Sequence, residues 1–576
     1  MIYSIESQKA IAYQIRFTGT RRICAFFAIL ALGSIAVGGD SSTKEFIERS
    51  TRGKAFWGEP YELIGKRMFF TDWYFIRPGT LDWMNDRGER INEVEEGLDN
   101  PVYGPWSAQL SRPSSPYGIR LAVQLAKRVG PVLKREKPWE KGYVYFKTII
   151  KDGDIYRAWC KSLPSRYYSY MESRDGYNWD RPNLGQVEFG GNRENNLLET
   201  GPGGTVFIDL HAPPGERYKA VGGSRVTFKE FKQFVEKHPN RWETRVLRGN
   251  WDDPEKFYVI HGAVSSDGIH WKNLPEPFTI EHSDGMETGY YDPFRKKYVV
   301  YTRTWLVGPR SERWSGDRET RTWKGESHGP GRRAIGRMES DTFGDFPVST
   351  PVIVPVPGEA SPSESFYTSI HTTIPGAPDT HLMFPTVWDT RDDSSSLGIW
   401  SSHDGVIWNR LPGPPVIETS AFGEWDGGCL FSYPSLFELP NGDFALPYKG
   451  YNLPHKYPRG DMELHAGYAV WPKGRIVGVV ADEAGEFSTV AILPPGRTLK
   501  INALTKRAGG IMVELARMND AVVPGRSFAD CAPIQGDAFW QTVKWKGESD
   551  LKTPAGEGLV IRFKMDRAQL FGIEFD

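Results

Sequence analysis

Cysteine is scarce, with four in 576 residues. Cys24, Cys160, Cys429 and Cys531 lie far apart and show no zinc-type spacing, so neither a metal ribbon nor a disulfide framework organises the chain. They read as small buried side chains, Cys24 excepted, which falls in a leader described below. An excess of one charge is also missing. The 71 Lys and Arg balance 72 Asp and Glu, leaving a net charge of −1, and such a chain lacks the basic footprint of a nucleic-acid binder. A local cluster of arginines can still sit inside a neutral total, so polyanionic substrates stay open. Long apolar runs are missing too. Ile23 to Leu32 is too short for a comfortable membrane span. It follows Arg16, Arg21 and Arg22 and precedes Gly33, Ser34, Ala36, Gly38 and Gly39. That order reads as an export signal over residues 1–39, sending the protein to the periplasm or outside; a short membrane anchor is the competing reading. No membrane contact beyond that signal is expected.

What is abundant is aromatic residues, glycine and proline: 20 Trp, 25 Tyr, 61 Gly and 42 Pro. Many short strands joined by tight turns use residues in this way. Three segments share one pattern: Ser173-Arg174-Asp175-Gly176-Tyr177-Asn178-Trp179, Ser266-Asp267-Gly268-Ile269-His270-Trp271 and Ser402-His403-Asp404-Gly405-Val406-Ile407-Trp408. Asp-Gly supplies the positive-φ step of a tight turn, and the Trp can cover it from the next strand. A degenerate copy runs from Glu339 to Phe346. Recurrence at long, uneven intervals suggests the blades of a propeller.

Strand sets can be traced around each motif. They are Tyr143–Ile150, Ile155–Cys160 and Tyr167–Glu172; Thr205–Asp209, Tyr218–Val221 and Phe257–Val264; Gly289–Tyr291, Tyr298–Thr304 and Arg333–Met338; Phe366–Ile374, His381–Val387 and Leu397–Ser401; and Leu430–Leu439, Phe444–Tyr448 and Ala466–Trp471. Met68–Ile76 precedes them and is expected to close the ring. A helix is expected near Ile119–Arg128 and another at Lys229–His238. From about Phe487 the motif stops and short alternating strands such as Val560–Met565 follow, a sandwich with one wet face. The expected fold is all-β: a five-bladed β-propeller followed by a small β-sandwich. The expected division is a signal peptide at 1–39, an N-terminal arm at 40–65, the propeller at 66–485 with inserts near 77–132 and 225–250, and the sandwich at 486–576.

Several runs carry a family likeness. Lys137-Pro138-Trp139-Glu140, Ile150-Lys151-Asp152-Gly153, Ser173–Gly185, Tyr291-Asp292-Pro293 and Ser527-Phe528-Ala529-Asp530-Cys531 resemble bacterial glycosidases related to glycoside hydrolase families 32 and 43. The resemblance spans roughly Met68 to Asp576. It implies the propeller and sandwich named above and a saccharide as partner. The chain departs from well-studied invertases, with no Trp-Met-Asn-Asp-Pro-Asn, Arg-Asp-Pro or Glu-Cys-Pro. Fructan specificity therefore loses support, and that catalytic triad is not carried over.

Glycoside hydrolysis needs one carboxyl to protonate the leaving oxygen and another to activate water or attack the anomeric carbon. In a propeller the innermost strands begin at the axial funnel, so acids at those starts converge. The catalytic candidates are Glu364, Asp284, Asp426, Glu140 and Asp72, the last by its likeness to an aspartate at the pocket floor of the resembled enzymes. Substrate-binding candidates are Trp139, Glu287, His371, Glu424, Trp425 and Arg303. Asp426 equally suits a turn in Gly423–Gly428, and His371 equally suits a satisfied core. Arg303, Arg337 and His261 are placed to hold hydroxyls or acidic groups of a sugar. No cofactor is required; a structural or pocket divalent cation is compatible with the sequence, and no metal ligand is named. Three functions follow: an exported, exo-acting glycoside hydrolase on an oligo- or polysaccharide, a non-catalytic carbohydrate-binding propeller, or a surface scaffold whose sandwich or rim binds another protein.

Overall fold

The computed structural model describes residues 59–78, 83–84, 90–91, 116–163, 167–242, 256–283, 285–306, 332–357, 359–457 and 461–576. The leader at 1–39 and Asp284 lie outside them. The chain from Pro60 to Asp576 is one compact unit, and strands dominate it.

Four-stranded antiparallel sheets follow one another along the chain. The first is Tyr143–Asp152, Ile155–Leu163, Tyr168–Ser173 and Leu197–Leu198; the second is Thr205–Ile208, Tyr218–Thr227, Lys256–Ser265 and Trp271–Asn273. The third is Thr288–Asp292, Lys297–Leu306, Arg332–Ser340 and Thr350–Ile353. Within each, the first strand in the chain is one edge of the sheet and the last is the other. The fourth set is split end to end. Glu364–Phe366, Thr386–Asp389, Ser395–Leu397 and Ile417–Glu418 form one sheet, and His371–Ile374, Ala377–Met383, Trp400–Ser402 and Asn409–Arg410 form another. The expected single strand Phe366–Ile374 is thus interrupted, because Tyr367 to Ile370 leave the ladder. The fifth sheet is Cys429–Ser432, Phe444–Tyr451 and Leu464–Trp471, and its outer edge is Lys127–Val129 from far earlier in the chain.

The repeated turns explain how neighbouring sheets are fastened. In the first copy Ser173 Oγ accepts from the Gly176 N–H (2.9 Å), and Asp175 Oδ1 accepts from the N–H groups of Tyr177 (2.8 Å) and Asn178 (2.7 Å). Gly176 sits at φ +78°, which a Cβ would strain. The second and third copies repeat these bonds, with Ser265 rather than Ser266 as the capping hydroxyl of the second. Each glycine carbonyl then accepts from an aromatic of the preceding sheet. Trp159 of the first sheet donates to Gly268 of the second (2.7 Å), Tyr301 of the third to Gly405 of the fourth, and Tyr468 of the fifth to Gly176 of the first (2.8 Å). The last of these returns the series to its start.

Two expectations are corrected here. Met68–Ile76 does not close the series; Arg67–Phe69 pairs instead with the C-terminal strand Leu559–Phe575. Ile119–Arg128 is not a helix but two strands, Arg120–Val123 and Lys127–Val129, which complete the edges of Val477–Ser488 and Leu464–Trp471. Open ladder edges outweigh local helix propensity at such sites. The expected helix at Lys229–His238 is present as Phe228–Lys237, opened by a capping box between Thr227 and Glu230.

The C-terminal strands Val477–Ser488, Leu499–Arg517, Asp537–Thr542 and Leu559–Phe575 form one larger sheet with Tyr61–Glu62, Arg67–Phe69, Arg120–Val123 and Ile492–Leu493. Its buried face shares a single apolar cluster with the fourth and fifth sheets, including Phe69, Phe384, Leu446, Trp471, Ile501 and Phe563. Cys160, Cys429 and Cys531 are all buried, as expected.

Candidate functional site

The starts of the first strands in the sheets carry side chains that meet. Along Tyr143–Asp152 the pairing register slips between Phe146 and Thr148, so Lys147 is the extra residue of a β-bulge. A bulge re-aims the side chain it carries. Lys147 Nζ reaches Met286 Sδ (3.1 Å) and lies 5.9 Å from the Tyr433 ring centre. Tyr145 of the first sheet meets Met286, Ile370 and Tyr433, from segments flanking first strands of the third, fourth and fifth sheets, in one buried apolar cluster.

Beside Lys147 stands Glu287, buried just before the strand Thr288–Asp292. Its carboxylate accepts from Ser283 Oγ (2.7 Å) and the Gly223 N–H (3.1 Å). A Cβ at Gly223 would make a tight 3.2 Å contact with the Ser283 carbonyl and an ordinary 3.5 Å contact with Glu287 Oε1. Burial pushes the Glu287 carboxyl up to about 7, with the Ser283 bond and the Lys147 charge opposing it. Burial and the charge of Lys161 pull the Lys147 ammonium down to about 7, with Glu287 opposing. Burial thus works against both charged forms, while the charge of each group favours the charged form of the other. Lys449 Nζ adds a third cation, 5.2 Å from the Tyr145 ring, 4.9 Å from Phe431 and 5.4 Å from Tyr451.

Two guanidinium groups extend the site. Arg303 is buried, and its backbone N–H donates to Ser283 Oγ (3.1 Å), the same hydroxyl that serves Glu287. Arg303 and Arg333 both stand over the Tyr367 ring, at 5.2 and 4.5 Å, and both over Trp305, at 5.5 and 4.8 Å. Burial raises the Tyr367 phenol, but Arg333 and Arg303 outweigh it and hold it below its ordinary range. The same two arginines, after burial, keep His282 neutral by drawing it down to about 3. At the rim Trp388 Nε1 donates to Asp393 Oδ1 (2.7 Å), and the Lys456 N–H donates to Oδ2 (2.6 Å). A cavity of about 480 Å3 lined by Tyr168, Glu199, Gly222, Gly223, Ser224 and His261 adjoins Glu287 through Gly223.

Of the residues expected from the sequence, Glu287 and Arg303 come together here. His261 lines the adjoining cavity, Asp284 lies outside the described residues, and the remaining candidates are placed elsewhere. Glu364 folds back on its own loop, accepting from the Ser361 N–H (2.8 Å). Asp426 is fully buried and accepts from Arg128 Nε (2.7 Å), Tyr448 Oη (2.7 Å) and Ser420 Oγ, fastening the closing strand to the fifth sheet. Glu140 is fully buried and takes Arg181 Nε (2.7 Å) and the Glu136 N–H (2.9 Å). Asp72 accepts from the Tyr74 N–H (2.9 Å) and Ser401 Oγ (3.3 Å). Trp139 donates to Asn196 Oδ1 (3.0 Å), Trp425 stacks on Tyr448, and Glu424 is exposed on a turn. His371 bonds His381 Nδ1 (2.9 Å) and stacks on Tyr290, lining a separate cavity of about 1090 Å3 at the other ends of the same strands. That cavity is larger and has Lys151, Asp292, Arg295, Asp379, Asp404 and Glu438 among its lining, while the cation group around Lys147 lies at the other end. Among the described residues no group of three or more His, Cys, Asp or Glu is placed to hold a metal ion.

Sequence reasoning missed Lys147, Lys449, Arg333 and Tyr367. A signal was available. Lys147 is the lone charge within Tyr143–Ile150 and Arg303 the lone one within Tyr298–Leu306, both in otherwise apolar or uncharged runs.

No family model and no curated protein matches the chain. Among solved structures it is similar to a thermostable family-43 glycoside hydrolase, at 13% identity over 58% of this chain and 92% of that one, with a TM-score of 0.34. It is also similar to the family-32 β-fructofuranosidase of Bombyx mori, at 10% identity over 78% of this chain and 94% of that one, with a TM-score of 0.32. A third is an N-acetylgalactosamine deacetylase from F. plautii in complex with blood group B trisaccharide, at 14% identity, covering 62% and 89%, with a TM-score of 0.33. Two of these structures come from the families that the sequence resembles, 43 and 32.

Proposed function

We propose that the chain is an exported glycoside hydrolase, a five-bladed β-propeller with a C-terminal β-sandwich, working on a saccharide at the site around Glu287. The propeller takes most of residues 66–485, and the sandwich of 486–576 is extended by Val477–Ser488. The observation that carries the reading is a buried carboxyl poised near neutrality at the start of an inner strand, ringed by tyrosines and adjoining a cavity. A carboxyl titrating near 7 is present in both forms at working pH and suits a general acid. Glu287 would give its proton to the leaving glycosidic oxygen as the bond to the anomeric carbon breaks. The sequence offers Asp284, three residues earlier in the chain, as the second carboxylate, to attack that carbon or take a proton from water. Where the carboxylate attacks, water then hydrolyses the glycosyl ester and gives its proton to Glu287; where water attacks, the proton it loses to the second carboxylate returns to Glu287 through solvent. The chemistry needs no cofactor. Met286, Ile370 and Tyr433 fill the axis on the inner side, which favours entry of a chain end and hence exo action.

The alternative, a carbohydrate-binding propeller without turnover, is favoured by one fact. Among the described residues Glu287 is the carboxylate coupled to the Lys147 group. Purified protein assayed on a panel of aryl glycosides and plant and marine oligosaccharides separates the two. Turnover lost in Glu287→Gln supports the hydrolase, and glycan binding with no turnover by the unaltered protein supports the alternative.

A further inference from the structure

We infer that this site selects acidic sugars, holding a carboxylate or sulfate ester of the glycan on the guanidinium of Arg333 with Arg303 beside it. The inference rests on the reading of the site as a carbohydrate site and deepens it to a substrate class. Arg333 lies on the strand Arg332–Ser340 and is 6% exposed. Its neighbours on that strand have ordinary partners. Arg332 donates to the carbonyls of Pro355, Ser361 and Glu364, and Arg337 pairs with Glu339 (2.8 Å). Among the described residues Arg333 has no ion pair, and its Nε has no hydrogen-bond partner. Aromatic rings surround it instead, with Tyr367 at 4.5 Å, Trp305 at 4.8 Å and Trp388 at 5.4 Å.

Rings over the faces of a guanidinium leave its edge for hydrogen bonds, and that edge is the fork that fits an oxyanion. Asp393, the acid on the rim, is already taken at both oxygens by Trp388 and Lys456. Tyr367 Oη is taken by His455 Nε2 (2.8 Å). Two guanidinium groups over the same two rings repel each other, and an anion between them would remove that cost. A neutral sugar offers nothing for this. An acidic sugar supplies the anion while its ring meets Trp305 and Trp388.

The test is calorimetric titration of the full chain with matched probes. These are tri-galacturonate against its methyl ester, and a κ-carrageenan tetrasaccharide against its desulfated form. The expected result is binding of one acidic probe about tenfold or more tighter than its neutral partner, the worth of a hydrogen-bonded charge. The pair that shows it tells carboxylate from sulfate. The preference should shrink with added salt and fall to near unity in Arg333→Gln. Should Arg333→Gln fail to fold, Arg333→Lys keeps the charge without the fork and is expected to lose most of the preference. Equal binding of acidic and neutral probes overturns the inference and leaves the carbohydrate reading standing. Binding of none of the probes overturns both.

Discussion

Replacing Glu287 by Gln keeps the shape of the site and removes its titration. The Gln carbonyl can still accept from the Gly223 N–H, and its amide can donate to Ser283 Oγ, so packing is preserved. In the folded protein the Glu287 carboxyl stands at about 7 against an ordinary 4.5. A raised carboxyl costs stability once the pH exceeds the unfolded value. The cost grows from about pH 4.5 to about pH 7 and is constant above, at roughly 3 kcal/mol for an isolated group. Lys147 loses its counter-charge in the variant, which offsets part of the gain. Glu287→Gln is therefore expected to be about 1–2 kcal/mol more stable than the parent at pH 8 and indistinguishable at pH 4.5. Its turnover is expected to drop by about 10²- to 10⁴-fold, with the limb of the pH–rate profile near 7 abolished. Urea denaturation at the two pH values, with initial rates from pH 5 to 9, reads both effects. A variant with parental turnover, or one destabilised equally at both pH values, would show Glu287 to be a structural carboxylate and refute the reasoning.

Asp426→Ala removes the acceptor shared by Arg128, Tyr448 and Ser420, and is expected to cost about 3 kcal/mol in urea denaturation, with Asp426→Asn milder. Gly467→Ala would place a Cβ 2.4 Å from the Trp425 ring and 3.0 Å from the Val129 carbonyl, so a loss of about 1–3 kcal/mol and a lower melting temperature are expected. Asp175 is held down at about 2, the N–H groups of Asn178 and Tyr177 outweighing the cost of burial. Its contribution is present above about pH 4 and lost as the pH falls through 2. Asp175→Ala should cost about 1–2 kcal/mol at pH 7, allowing for its partial exposure, and only a small part of that at pH 2, where about half of the carboxylate is protonated.

The fold was legible where local chemistry is self-contained. A Ser, an Asp and a Gly at fixed offsets build their turn from bonds within a few residues, so three turns could be read directly; in two the Trp donates to its own turn's glycine, Gly268 or Gly405, while Trp179 donates to Tyr468. Pairing between distant segments could not. Lys127–Val129 looks like any short basic run, and only the open edge of Leu464–Trp471 makes it a strand. The site was legible in part for a similar reason. Carboxylates in loops before strands were weighed as catalytic, yet loops are where carboxylates cap backbone N–H groups, and Glu364 and Glu140 do so. Glu287 and Arg303 are reachable from sequence because each precedes or interrupts a strong strand. Lys147 depends on a bulge that no local pattern encodes.

Closure and chemistry are linked through the fifth sheet. Lys449 belongs to that sheet, Tyr433 follows directly on its first strand and Lys147 belongs to the first sheet, and the two sheets are joined by packing rather than by a shared ladder. The same boundary holds the bond from Tyr468 to Gly176 and the stack of Phe146 on Tyr468, at 5.7 Å. Three cations and a buried carboxyl at one point are unfavourable by themselves, since burial opposes every charged form there. Their approach therefore has to be imposed by surrounding structure. The strand Lys127–Val129, fixed by Asp426, keeps the fifth sheet complete at its outer edge. Loosening it lets like charges relax apart before the sheets unfold. Asp426→Ala should accordingly weaken ligand binding at urea concentrations well below its own unfolding midpoint, while a lesion confined to the C-terminal sheet, such as loss of the Arg562–Glu514 pair, should not.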